Sequence, residues 1–181
     1  EGKSILLSIM GGLLLPHSGH CFIPPHLRTF HVDANPLFFD GSLWDNLLFA
    51  ADSSNAMDIS ESRVLKICQR LGVPEKVIAL VKSKTETIAT LSLSQKMQLN
   101  LARALIANPE VLMLAKPTAL FTEEQAALTL GVFKSHIDER GLEIGGESHM
   151  RRPRTLVFTA SRFTGVRTAD VVYDISRAGA E

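Results

Sequence analysis

The chain has 181 residues, enough for one sizeable core with room for a small subdomain. Its 19 lysines and arginines balance its 19 aspartates and glutamates, so the net charge points neither to nucleic acid nor to an anionic membrane surface. The two cysteines, Cys21 and Cys68, are too few for a disulfide framework, and no apolar run approaches the roughly 18 residues of a membrane-spanning helix.

The chain opens at Glu1 without a methionine, which predicts an excised or incomplete piece. Gly2-Lys3-Ser4 stands directly before an apolar segment, Ile5 to Met10, whose spacing suits a helix that Gly11-Gly12 ends through a left-handed C-cap. This is how a P-loop ends: the lysine reaches the β- and γ-phosphates, the serine hydroxyl ligates magnesium, and the helix N-terminus faces the anion. Only the last part of such a loop is present, without the upstream glycines and the strand before them. The tripeptide alone is a weak signal. A secretory signal is the competing reading, with Lys3 as its basic region and Ile5 to Leu15 as its apolar core, and Glu1 counts against it.

Pro16 to Phe30 reads as turns and edge strands, with short apolar pieces at Cys21-Phe22-Ile23 and Leu27. His17, His20, Cys21, His26 and His31 are metal-capable residue types without the turn spacing of a zinc site, and they read as solvated loop side chains. In Val32 to Ala50 the aromatics Phe38, Phe39, Trp44 and Phe49 suit core packing better than a dedicated coupling surface. From Ser60 to Leu71 a helix places Val64, Ile67, Cys68 and Leu71 on one face, with Gly72 as its C-cap and Cys68 as a small buried hydrophobe. Pro74 suits the first turn of a second helix through Val77, Ile78, Leu80 and Val81.

Leu91 to Phe121 organises the rest. Ser92 and Gln95 form a capping box that opens a helix at Leu93. Met97, Leu101, Ala104 and Leu105 continue it for about three turns, and Asn108-Pro109 stops it. Val111 to Leu114 is apolar without alternation, as in a parallel strand covered on both faces, and Lys116-Pro117-Thr118 ends it. Thr122 and Gln125 make a second capping box, opening a helix through Leu128, Leu130, Phe133 and Ile137. Gly141 to Arg154 reads as a polar loop whose cluster Arg151-Arg152-Pro153-Arg154 is solvated. Leu156 to Phe158 and Val171 to Ile175 read as two further buried strands.

The sequence LSLSQ opening a helix that ends Ala102-Arg103-Ala104-Leu105, followed by Asn-Pro, four apolar residues and Pro117-Thr118, resembles ATP-binding-cassette (ABC) nucleotide-binding domains. Those read LSGGQ, then ARAL, N-P, four apolar residues and D-E-P-T. Pro36-Leu37-Phe38, Gly41-Ser42-Leu43 and Asn46-Leu47 resemble the segment after the Q-loop strand in exporter-type cassettes, the multidrug-resistance-associated type above all. Thr159 to Phe163 followed by Ala169-Asp170 is similar to the switch segment T-H-R then A-D. The resemblance implies one partial nucleotide-binding domain over residues 1–181. Its fold would be α/β and P-loop NTPase-like, a mostly parallel sheet core flanked by helices, with an inserted helical subdomain over residues 41–100. It implies ATP with magnesium as cofactor, bound by Gly2, Lys3 and Ser4, with Ser4 as the magnesium ligand. Ser92, Leu93, Ser94 and Gln95 would be the signature that closes on ATP held by a partner cassette. The implied partners are that second nucleotide-binding domain and transmembrane domains outside this chain, at the cytoplasmic face of a membrane, with no nucleic acid.

Departures from the pattern fall on the chemistry. Ala115-Lys116 stands where the family has Asp-Glu, Ala34 where it has the Q-loop glutamine, and Ser161 where it has the switch histidine. Leu93 and Ser94 replace the signature glycines. Hydrolysis needs a magnesium-holding acid and a group that positions water, and loss of a general base alone costs about 10²- to 10⁴-fold. No catalytic residue is therefore assigned, and the chain reads as a degenerate, catalytically impaired half of a transporter. The competing expectations are a cassette that still turns over ATP with substituted or partner groups, and an interaction module or decayed cassette that binds no nucleotide.

Overall fold

Three short strands form the centre of the computed structural model, which describes residues 2–51, 59–84, 88–160 and 163–175. β1 (Thr29–Val32), β2 (Val111–Leu114) and β3 (Thr155–Phe158) lie side by side in that order, both pairs parallel, with Thr29, Val111 and Thr155 in register. Parallel neighbours cannot be joined by a hairpin, so helices fill each crossover. Between β1 and β2 come α2 (Leu43–Leu48), α3 (Glu61–Arg70), α4 (Glu75–Ser83) and α5 (Leu93–Ala107). Between β2 and β3 comes α6 (Glu123–Asp138); α1 (Lys3–Met10) precedes the sheet and α7 (Phe163–Thr168) follows it. This is the helix-flanked parallel sheet that the sequence predicts.

Alternation along the strands sorts side chains to two faces. Phe30, Val32, Leu112, Leu114, Leu156 and Phe158 join the main core, which α2 to α6 supply with Leu43, Leu47, Ile67, Leu101, Leu105 and Phe133 among others. Met113, Val111, Val157 and Ala115 point to the other face, where Leu7 and Met10 of α1 cover them. Leu112, Met113 and Leu114 are all fully buried, as a strand covered on both sides requires.

Local signals place the helix ends. Both capping boxes form, Ser92 with Gln95 and Thr122 with Gln125. α5 runs for 15 residues, about four turns rather than three, because its start at Leu93 precedes the apolar stripe by a full turn. Asn108 ends it in the left-handed conformation, and Gly12 and Gly72 do the same after α1 and α3.

Three stretches differ from expectation. Cys21 to Ile23 and Val171 to Ile175 form no strand, and Phe22, Val171 and Tyr173 are exposed. An apolar run becomes a strand only where a neighbour receives its backbone, and neither run has one among the described residues. The basic cluster is not a solvated loop. Arg154 is buried, donating to Asn108 Oδ1 at 3.2 Å and pairing with Glu110 at 3.2 Å, while Arg151 donates to the carbonyls of Arg140, Gly141, Ile144 and Gly146. His31 lies within β1 rather than in a loop, and Gly11 packs so close to its ring that a Cβ there would sit 3.1 Å from the His31 Cβ.

Candidate functional site

Ligands of open parallel sheets bind beyond the carboxyl ends of the strands. Here those ends are Val32-Asp33-Ala34, Leu114-Ala115-Lys116 and Phe158-Thr159-Ala160. Backbone bonds hold them together: Ala115 N–H donates to Val32 O at 2.9 Å and Thr159 N–H to Leu114 O at 3.1 Å. The Thr159 hydroxyl accepts the Lys116 N–H at 2.8 Å, fixing Lys116 in a left-handed conformation at φ 49° with its side chain exposed.

α1 is aimed at this end of the sheet. Gly11, past its C-terminus, touches His31, which pairs with Met113, whereas Leu7 packs with Met113 and Ala115. The helix thus runs back along the sheet with its N-terminus toward Ala115 and Lys116. Ser4 precedes Leu7 by three residues, so it shares that face and stands about 4.5 Å farther along the axis. Gly2, Lys3 and Ser4 are all exposed, and Gly2 caps the helix at φ 91° without a side-chain bond, so the first N–H groups face outward. The structure therefore brings the GKS segment, Ala34, Ala115 and Lys116 to one region. Ala34 is half-buried against the Leu7, Met113 and Ala115 cluster, and its methyl offers no polar group. Ser161 and Arg162 lie outside the described residues.

Ser92, Leu93, Ser94 and Gln95 form a second region, at the N-terminus of α5. Ser92 N–H donates to Gln95 Oε1 at 2.9 Å, Gln95 N–H donates to Ser92 Oγ at 3.3 Å, and the hydroxyls of Ser92 and Ser94 lie 3.1 Å apart. Leu93 is 54% exposed, so its side chain projects from the helix end into solvent. α5 packs on α2, α3 and β1, whereas α1 packs on β2; the two regions belong to different surfaces.

Two polar residues between these regions were given no role from sequence. Asn46 is fully buried on α2 and closes the Pro36 to Gly41 loop by accepting the Phe39 N–H at 3.1 Å and donating to the carbonyls of Phe39 and Ser42. Arg103, from the ARAL end of α5, donates to Leu37 O at 3.0 Å and Asn46 Oδ1 at 3.4 Å, with its guanidinium 4.8 Å from the centre of the Phe38 ring. Burial lowers its pKa from the usual arginine value. The available signal was a polar residue on an otherwise buried helical face, four residues after the Ser42 cap. Of the four aromatics expected in the core, Phe38 and Trp44 pack against it, whereas Phe39 and Phe49 are exposed, as is Leu37 beside this loop. His31 has its pKa lowered by burial, partly offset by Asp33, and its Nε2 is buried without a partner. No group of three His, Cys, Asp or Glu side chains gathers to hold a metal ion among the described residues.

The sequence model of the family described as "ABC transporter" matches residues 1–119. A Fusarium pseudograminearum protein named "ABC transporter" is 27% identical over 145 residues, covering 78% of this chain and 10% of that protein. "ABC multidrug transporter mdr1" of Aspergillus fumigatus is 25% identical over 146 residues, again 78% of this chain and 10% of the relative. "Mycobactin import ATP-binding/permease protein IrtB" of Mycolicibacterium smegmatis is 30% identical over 190 residues, covering 95% of this chain and 29% of its own length. The chain thus spans only a fraction of the relatives it matches.

Proposed function

The chain belongs to the ABC transporter family, and we propose that it is an ATP-binding domain whose own hydrolytic site is impaired and which serves as the passive half of a pair with an intact second cassette. One observation carries this reading: at the end of β2, beyond the seat of α1, stand the methyl of Ala115 and the cation of Lys116 in place of two carboxylates. Ala115 has no oxygen for a metal, and an ammonium group has no lone pair to accept a proton from attacking water. Ala34 supplies no amide to orient that water. Gly2, Lys3 and Ser4 remain at a helix start suited to phosphate.

In this proposal residues 41–100 act as the helical subdomain, and Ser92 to Gln95 face the ATP of the second cassette. Transmembrane domains outside this chain would hold the pair at the cytoplasmic face, as the family resemblance implies. The chain, given ATP and magnesium, is expected to release phosphate no faster than a denatured control. Reproducible turnover that Lys3→Ala abolishes would overturn the proposal.

A further inference from the structure

We propose that this site takes the triphosphate tail of a nucleotide without a divalent cation, the Lys116 ammonium supplying the positive charge in its place. The inference rests on the nucleotide-binding reading above and adds how that site neutralises its ligand. Magnesium demands octahedral oxygen ligands and is usually held through one or two carboxylates together with phosphates and water. The donor set at this end of the sheet does not fit it. Ser4 offers one hydroxyl, residue 115 is a buried alanine, and the Thr159 hydroxyl is already bonded to the Lys116 N–H. The acid at this end of the sheet is Asp33, directly after β1, where one carboxylate oxygen accepts the Asn35 N–H at 3.0 Å.

Lys116 fits the anion instead. Its backbone is fixed by the Thr159 hydroxyl, so its four-carbon stem starts from a defined point beside Ala115, one residue beyond the patch that seats α1. The side chain is exposed and enters no salt bridge among the described residues, so its charge is not already neutralised. Lys3 and the N–H groups at the start of α1, whose Leu7 packs with Ala115, are the other positive groups at this end of the sheet. A divalent cation placed there would meet the like charge of Lys116 and find no carboxylate at the end of β2, so metal adds little to binding.

Calorimetric titration of the chain with ATP, once in magnesium and once in a chelator, tests this. Affinity is expected to agree within about three-fold between the two conditions, a difference below 1 kcal/mol. Lys116→Met is expected to weaken binding in chelator by about ten-fold or more while leaving the thermal unfolding midpoint in place. Lys116→Glu is expected to bind only when magnesium is present. Strictly magnesium-dependent binding by the unaltered chain would overturn the inference, and loss of that dependence in Asp33→Asn would then assign the metal to Asp33. Unchanged chelator-phase affinity in Lys116→Met would overturn it equally. Absence of ATP binding under both conditions would instead remove the nucleotide-binding reading itself and leave the interaction module.

Discussion

His136 is 1% exposed in the last turn of α6, and neither ring nitrogen has a hydrogen-bond partner of ordinary geometry. Burial lowers its pKa to about 4, with the Arg154 charge pushing the same way, the Pro109 carbonyl opposing, and the Arg63 charge adding the least. The sign follows from which state takes the proton first. The unfolded chain protonates near the usual value of 6.5, so the folded state keeps its full stability above that pH and loses it progressively as pH falls toward 4. From that separation we expect a loss of about 2 kcal/mol between about pH 7.5 and about pH 5 in urea unfolding. His136→Leu, which keeps the volume and removes the titration, should flatten most of this slope. An identical slope in the variant would show that other groups cause it. The apolar residues predicted Leu130 and Phe133 on the buried face of α6 but also placed Leu128 there, which is exposed; the neutral imidazole on that face follows first from its burial, with Arg154 and Arg63 adding to it from distant parts of the chain.

At the scale of elements, α5 is held at its two ends by different physics. Its N-terminus is closed by the exposed Ser92 and Gln95 box, and removal of such a cap by Ser92→Ala is expected to cost about 1 kcal/mol. Its C-terminus is pinned by Arg63, which donates to the carbonyls of Leu105 at 3.1 Å, Ile106 at 3.0 Å and Leu142 at 3.0 Å while 3% exposed. Arg63→Met removes three buried hydrogen bonds and takes the donor from the Ile106 and Leu142 carbonyls, while Leu105 O keeps the Asn108 N–H at 3.2 Å, so its cost should be larger, about 2 to 4 kcal/mol. Arg63→Lys should recover less than half of it, because an ammonium cannot reproduce the planar fork. Chemical unfolding of the three variants checks the order; a Met variant no less stable than Ser92→Ala would refute it. The contrast explains what the sequence made legible. Caps, the Asn108 stop and the apolar β2 run depend on neighbours within a turn, so residue types alone predicted them. Arg63, Arg103 and Arg154 bind partners 42 to 79 residues away, and Arg residues in such stretches look solvent-exposed until the fold brings carbonyls to them. The same limit misassigned Val171 to Ile175, since apolar composition does not say whether a sheet edge is there to receive it. At the candidate site the sequence supplied the identities of Ala115 and Lys116, but not the left-handed turn or the Thr159 bond that fix where the lysine starts.

For the whole molecule, the two regions differ in what they retain. The carboxyl end of the sheet has the start of α1 beside two alanines and a lysine, whereas the N-terminus of α5 keeps its complete capping box and an ordered helix behind it. In the pairing proposed above, a domain built this way would support ATP held by the other cassette rather than hydrolyse its own. Leu93 limits that support, because its exposed side chain stands where glycine would let backbone N–H groups approach a γ-phosphate, and electrostatic stabilisation falls with distance. Removing one well-placed donor from an anion hole costs about 10²- to 10³-fold in rate, so partial repair should be visible. In a reconstituted pair, Leu93→Gly with Ser94→Gly is expected to raise turnover at the partner's site by roughly ten-fold, a fraction of that range because only the approach is restored. Ala115→Asp with Lys116→Glu should leave the partner's site nearly unchanged, since Ala115 packs with Leu7 of α1 whereas α5 packs on α2, α3 and β1. Measuring phosphate release with the partner's site alone competent separates the two repairs. Equal turnover before and after the signature repair would mean that the domains do not share a composite site, and that whatever this chain contributes passes through another surface.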